Sequence, residues 1–331
     1  MIISRTPFRI SFFGGGTDYP VWYESNGGAV LSTTIDKYCY LNCRYLPPFF
    51  EHKHRIVYSK VEMVKDIAAI RHPAVRAILE KHGIEEGVEI HHDGDLPARS
   101  GLGSSSSFTV GLLNAVYALK GIMPSKQRLA EEAIHIEREI LNEYVGSQDQ
   151  VAVAFGGLNR IGFRKNGSFE VVPITIAVER MQDLQGQLML FFTGFSRFAS
   201  RIAKKQIKIT PSKKKELAAM HQLVDSAQNI LTSNSDLVDF GKLMHESWLL
   251  KRSLTDKISS EEIDRIYQEA LSAGATGGKL LGAGGGGFML FFVEPKYQDK
   301  VRKRLSGLLE VKFRFENTGS QIIFYQEQKL K

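Results

Sequence analysis

The sequence predicts a two-domain α+β protein, and three observations lead there. The first hundred residues read mainly as strands, helical spacing takes over from Ser104, and both kinds of element recur after the pattern changes near residues 176–187. With 331 residues and 43% hydrophobic content, the chain has enough apolar side chain for one large or two medium cores. The boundary is placed at residue 180, giving domains 1–180 and 181–331.

Taken in order, Arg9–Phe13 and Ala29–Tyr45 are rich in β-branched and aromatic residues, Val88–Ile90 alternates, and glycine-rich breaks separate them. Ser104–Leu119 has apolar residues at helical spacing and stops at Gly121, with Pro124 beyond. A second helix is expected from Ser125 to about Asn142. After Val171–Ile174 a polar stretch intervenes, and Leu188–Thr193 starts a fresh apolar strand. Beyond it we expect a long basic helix, helices from about Leu217, near Phe240 and over Ser260–Ala273, strand Phe288–Val293, a helix from Lys296 and a terminal strand pair.

No apolar run approaches the roughly 20 residues of a membrane span, and Met1-Ile2-Ile3-Ser4-Arg5 lacks the layout of a secretory signal. The expected address is the cytoplasm, with no membrane partner. Cys39 and Cys43, the only cysteines, fall on one face of a strand and read as buried or half-buried thiols. The histidines make no H-E-x-x-H pair, and His91-His92-Asp93 reads as a polar strand end. Net charge is +7, and the surplus gathers between Arg197 and Lys215, where few aromatics interleave to stack bases. That reads as a solvated helix face, with no nucleic-acid partner.

Residues 97–107, Pro97-Ala98-Arg99-Ser100-Gly101-Leu102-Gly103-Ser104-Ser105-Ser106-Ser107, join a glycine loop to a hydroxyl-rich helix start. Glycine allows close backbone approach, and unpaired amides at a helix N-terminus offer the positive end of its dipole to an anion. The expected guest is a polyphosphate; the plain alternative is a capped turn. Neither the P-loop pattern nor the dinucleotide fingerprint matches. A second run, Gly282–Gly287, stands between a helix and a strand, and a third, Gly14-Gly15-Gly16, precedes Thr17-Asp18. In the second helix Ile134, Glu137 and Leu141 share a row beside the apolar stripe. Glu137 is therefore either an edge residue or a carboxylate turned inward toward a cation.

Together these segments resemble the GHMP small-molecule kinases. Pro7 to Tyr19 looks like the family's first motif, Pro97 to Ser107 like the second, and Lys279 to Phe288 like the third, in order across nearly the whole chain. The resemblance implies an N-terminal domain like the second domain of ribosomal protein S5 and a ferredoxin-like C-terminal domain. It implies ATP as donor and Mg²⁺ as cofactor. Within Gly146-Ser147-Gln148-Asp149-Gln150, Asp149 would accept the proton of the attacking hydroxyl, and Arg9 would sit beside it and offset charge on the moving phosphoryl group. The loop Gly101, Leu102, Gly103, Ser104, Ser105 and Ser106 would hold the ATP phosphates, and Glu137 with Ser105 would hold Mg²⁺, Ser104 being close enough to confuse the choice.

For the acceptor, Gly15-Gly16 stands where galactokinase has Glu-His, while Asp18 remains to hold sugar hydroxyls. The text of Phe13–Pro20 and Gly146–Gln150 looks most like the D-glycero-D-manno-heptose 7-phosphate 1-kinases of nucleotide-activated heptose biosynthesis, with the fucokinase branch similar. The resemblance therefore implies a sugar-phosphate acceptor, with Gly15, Gly16, Thr17, Asp18, Gly284 and Gly285 lining its site. Arg197, with Arg201, would meet the acceptor's own phosphate. An unphosphorylated sugar 1-kinase and a catalytically silent sugar and ATP sensor are the alternatives. A monomer or homodimer is expected.

Overall fold

The first strand starts earlier than its sequence pattern suggests: β1 (Ile2–Phe13) pairs antiparallel with β2 (Gly28–Tyr45) around the short helix α1 (Pro20–Asn26). The computed structural model describes residues 1–194 and 199–327. From Thr6 to Phe13 every residue of β1 is buried, so the period-2 signature is lost there. Helices pack against this strand pair, which is why both of its faces are apolar.

The chain continues through β3 (His54–Val57), β4 (Val61–Val64), α2 (Pro73–Lys81), β5 (Val88–Gly94), α3 (Ser104–Leu119) and α4 (Lys126–His135). A π turn over Ile136–Ile140 follows, then α5 (Gln148–Phe155), β6 (Asn159–Phe163), β7 (Phe169–Pro173) and α6 (Val178–Gly186). The later elements are β8 (Leu188–Phe192), α7 (Ala199–Ile209), α8 (Lys214–Thr232), α9 (Val238–Leu254), α10 (Glu261–Ser272), β9 (Gly277–Leu280), β10 (Phe288–Phe292), α11 (Pro295–Arg304), β11 (Leu309–Glu310), β12 (Phe315–Glu316) and β13 (Gln321–Tyr325).

Two sheets organise these elements. The first has nine strands, ordered β13-β1-β2-β5-β3-β4, with β6 and β12 also on β2 and β7 on β6. The second is antiparallel, ordered β11-β8-β10-β9. With helices between β8 and β9 and between β10 and β11, that order is a ferredoxin-like split βαβ. The terminal strands β12 and β13 return to the first sheet, on β2 and β1. Cys39 and Cys43 lie buried on β2 as free thiols.

Helix α3 has the bounds that its sequence predicts, and α8 and α10 begin within a few residues of the expected positions. The second predicted helix ends differently, because α4 gives way to the π turn after His135 and Asn142 adopts a φ of 52°. Pro211 separates α7 from α8. The polar stretch at 176–187 holds α6. Rings join the first sheet to α9: Phe12 and Phe13 meet Phe240 edge-on at 5.4 and 5.1 Å.

Candidate active site

The loop before α3 is shaped by glycine. Gly101 and Gly103 have φ of +88° and +77°, a region that side chains disfavour. A Cβ on Gly103 would lie 3.1 Å from Arg9 Cγ and 3.6 Å from Asp149 Oδ2. No side chain caps the start of α3, so its leading amides stay available to an anion. The loop is clipped to β1, where the Arg9 amide donates to Leu102 O at 3.0 Å and Ser107 Oγ donates to Pro7 O at 3.0 Å. Ser104 Oγ accepts from the Arg99 amide at 3.0 Å.

Arg9 joins three segments of the chain. Its Nε and Nη2 donate to Asp149 Oδ1 and Oδ2, each at 2.8 Å, and its Nη1 donates to Gly101 O at 2.7 Å. Asp149 stands in the first turn of α5, where a carboxylate suits the helix dipole. Arg9 is almost fully buried while Asp149 remains 27% exposed, so the carboxylate is reachable from solvent.

Asp18 lies beside this pair and is buried. Burial pushes its carboxyl above the usual range; the Gly16 amide, donating to Oδ1 at 2.8 Å, opposes that, and the charge of Asp149 reinforces it. Gly146 backs it, since any Cβ there would overlap Asp18 Oδ2. A Cβ on Gly15 would meet nothing closer than Gln148 Nε2 at 3.7 Å, which leaves room at that position. Over Gly16, Gln206 and Leu217 close in at 2.8 and 3.2 Å from a Cβ. The Thr17 hydroxyl is held inside the turn, within 2.8 Å of both Gly14 O and Ala29 O.

Glu137 is turned inward. The π turn carries it into the core at 1% exposure, where Oε2 accepts from Ser106 Oγ at 2.9 Å and from Gln150 Nε2. Its Oε1 has no hydrogen-bond partner. Burial pushes the carboxyl up to about 7. The hydroxyl beside Glu137 is thus that of Ser106, while Ser105 faces outward and is exposed.

Two family models match the chain, the GHMP kinases N terminal domain over residues 67–157 and the GHMP kinases C terminal over residues 224–310. The D-glycero-alpha-D-manno-heptose 7-phosphate kinase of Campylobacter jejuni is 30% identical over 92% of this chain and 93% of its own length. This chain is a GHMP kinase. A bifunctional fucokinase/GDP-fucose pyrophosphorylase of Arabidopsis thaliana is 25% identical over 90% of the chain, which spans 30% of that longer protein. A crystal structure of a D-glycero-D-manno-heptose 1-phosphate kinase from Bacteroides thetaiotaomicron superposes with a TM-score of 0.81 over 99% of this chain and 100% of that one, at 23% identity. The two-domain GHMP kinase fold and a sugar kinase activity, phosphoryl transfer to an alcohol, follow from these matches. ATP is the family's phosphate donor. No helix among the described residues is long and apolar enough to cross a membrane.

In this GHMP kinase the Gly282–Gly287 run serves as backbone packing. A Cβ on Gly282 would lie 2.5 Å from Gly101 Cα, and one on Gly287 would overlap Ser100 O. Gly284 and Gly285 face Ile258, whose carbonyl accepts from the Gly285 amide at 3.0 Å. Arg197 lies outside the described residues, as does the side chain of Arg201.

Sequence reasoning misses two cations of this kinase, Lys251 and Lys279, and the amides of Gln148 and Gln150. Ser11 Oγ donates to Gln148 Oε1 at 2.7 Å, which steadies the segment that leads into α5. Lys251 is visible in retrospect: it falls in the same apolar row of α9 as Phe240, Met244 and Leu254, an odd place for an ammonium.

Proposed function

We propose that this kinase transfers the γ-phosphoryl group of ATP to the anomeric hydroxyl of D-glycero-D-manno-heptose 7-phosphate, giving the 1,7-bisphosphate. The observation that carries the reading is the bidentate Arg9–Asp149 pair beside the uncapped start of α3. It puts a solvent-reachable carboxylate next to an anion cradle. The choice of acceptor leans on the activity named for the Campylobacter relative.

In this reading the amides of Gly101 to Ser106 hold the phosphates, and Asp149 takes the proton of the attacking hydroxyl. Arg9 offsets charge as the phosphoryl group moves, and most of the catalysis is positioning and electrostatics. Asp18 and the space at Gly15 receive the sugar, with the backbone of Gly16, Thr17, Gly284 and Gly285 shaping the walls. Residues 1–180 supply the nucleotide and catalytic parts, and 181–331 complete the cleft while returning β12 and β13 to the first sheet.

Mg²⁺ fits the corner at Glu137. The buried, unpartnered Oε1 is a hard oxygen ligand that lacks a counter-charge, and the hydroxyls of Ser106 and Ser105 belong to the phosphate loop itself. Bound there, the ion supplies charge neutralisation for the nucleotide phosphates.

A coupled ADP-release assay with heptose 7-phosphate, the unphosphorylated heptose and L-fucose tests the acceptor. Preferred turnover of the phosphorylated heptose is expected. Preference for a sugar without the terminal phosphate overturns the acceptor assignment, and no turnover with any sugar favours a sensor.

A further inference from the structure

Two buried lysines are held near the segments that carry Arg9, and none of the roles above uses them. Lys251, from α9, is 6% exposed and Lys279, from β9, 3%. Among the described residues neither has a carboxylate within ion-pair distance. Lys251 donates to Gly282 O, and Lys279 to Phe12 O at 2.7 Å. A buried cation held by a carbonyl alone is costly, so its retention calls for an anion supplied from elsewhere.

Their setting says where that anion arrives. Gly282, whose carbonyl holds Lys251, is in backbone contact with Gly101, whose carbonyl holds Arg9 Nη1. The charges acting on Lys251 are repulsive from Arg9 on β1 and attractive from Asp18 and Asp149, and Lys279 on β9 in turn feels both Lys251 and Arg9. Arg9 and Lys251 therefore face Asp149 and a second carboxyl, Asp18, whose burial favours its neutral form, as burial also favours the neutral form of Lys279 behind them. The excess is positive, and it lies where the acceptor hydroxyl must meet the nucleotide if Asp149 is the base.

Resting on the kinase reading above, we propose that Lys251 is a catalytic residue that releases the Gly282 carbonyl and donates to a peripheral oxygen of the phosphoryl group in flight. The bond from phosphorus to the β,γ-bridging oxygen breaks and its electron pair leaves with the nucleoside diphosphate. The bond to the acceptor oxygen forms, the acceptor proton passes to Asp149, and Lys251 keeps its own protons throughout. Negative charge spread over the peripheral oxygens gives the ammonium more to bind in the transition state than in the ground state. Burial, and then Arg9, lower the lysine to about 8, so the free enzyme loses this charge as the pH rises through that value.

The test compares wild type with Lys251→Met and Lys251→Arg, using whichever sugar of the acceptor panel the wild type phosphorylates. A wrong heptose assignment therefore shows in the panel and leaves this comparison intact. Lys251→Met is expected to lower kcat by about 10² to 10³, with KM for ATP and acceptor unchanged within about threefold. In wild type kcat/KM falls above about pH 8, and in Lys251→Arg that limb moves up by more than a unit. A kcat within threefold of wild type in Lys251→Met, or a change confined to KM, overturns the proposal. Should Lys251→Met fail to fold, an alkaline limb that does not move in Lys251→Arg overturns it equally.

Discussion

Arg9 and Asp149 are locked by two parallel hydrogen bonds of 2.8 Å, a fork that ties the middle of β1 to the first turn of α5. Planar bidentate pairing holds the carboxylate in one orientation, while Asp149 stays reachable from solvent. Asp149→Asn is nearly isosteric; it removes the carboxylate proposed as the base and replaces one of the two oxygens that accept from Arg9 with a donor. Turnover is expected to fall by about 10² to 10⁴, while ATP affinity by calorimetry changes little. Arg9→Lys breaks the fork and is expected to lose a comparable part of kcat despite keeping the charge.

Gly146 and Asp18 make a second tight relationship. Any side chain at 146 overlaps the Asp18 carboxylate, so Gly146→Ala must displace it. The expected outcome is a rise in acceptor KM of about tenfold or more, on the order of 1–3 kcal/mol from overpacking, with the nucleotide KM unaffected. Steady-state kinetics with each substrate varied checks this.

Glu137 predicts an unusual pH dependence of stability for the metal-free protein. Its carboxyl titrates near 7 when folded, against 4.5 as its ordinary value. Between those values the folded form holds a proton that the unfolded form has lost, so stability falls as pH rises through this window and levels off above about 7. The loss attributable to Glu137 is on the order of 3 kcal/mol at most. Thermal midpoints in chelator from pH 5 to 8 measure it; Glu137→Gln is expected to flatten the profile, and Mg²⁺ to recover stability at the alkaline end.

The contact between Gly101 and Gly282 makes the loop before α3 depend on a segment 181 positions away in the chain, since 282 − 101 = 181. Gly101→Ala meets Leu281 O at 2.5 Å and also needs a φ of +88°. Reduced ATP affinity together with a lower thermal midpoint is expected, whereas Gly83→Ala, with open space around it at a φ of +59°, is expected to keep ATP affinity.

Cys39 and Cys43 are expected to resist thiol reagents. Burial pushes Cys43 up to about 12 and raises Cys39 as well, so little reactive thiolate exists at neutral pH. Reaction with an aromatic disulfide reagent should be slow in buffer and complete in denaturant.

The parts of this kinase legible in the sequence are those whose signal is local. Helix α3 announces itself by Gly103 and its apolar spacing, and the glycine runs by their backbone demands. Short strands such as β3 and β4, of four residues each, carry too little periodicity to register. Glu137 illustrates the limit at the site: its spacing puts it on an apolar flank, but the π turn decides that it faces inward and meets Ser106, while Ser105 points out. A π turn rests on hydrogen bonds that no residue pattern prints. Lys251 is hidden for another reason, because its meaning depends on Arg9, Asp18 and Asp149, which reach it only through tertiary packing.

The strand that carries Arg9 has its outer edge covered, over Ile2–Arg5, by a strand from far along the chain. β13 pairs with β1, and the Met1 ammonium donates to Gln326 O at 2.8 Å. During synthesis β1 therefore waits as an open edge while three hundred residues follow it, able to pair with any other exposed strand. A chain that stops at Glu316, before β13, should therefore be prone to aggregate even with Arg9, Asp149 and the loop before α3 already in place.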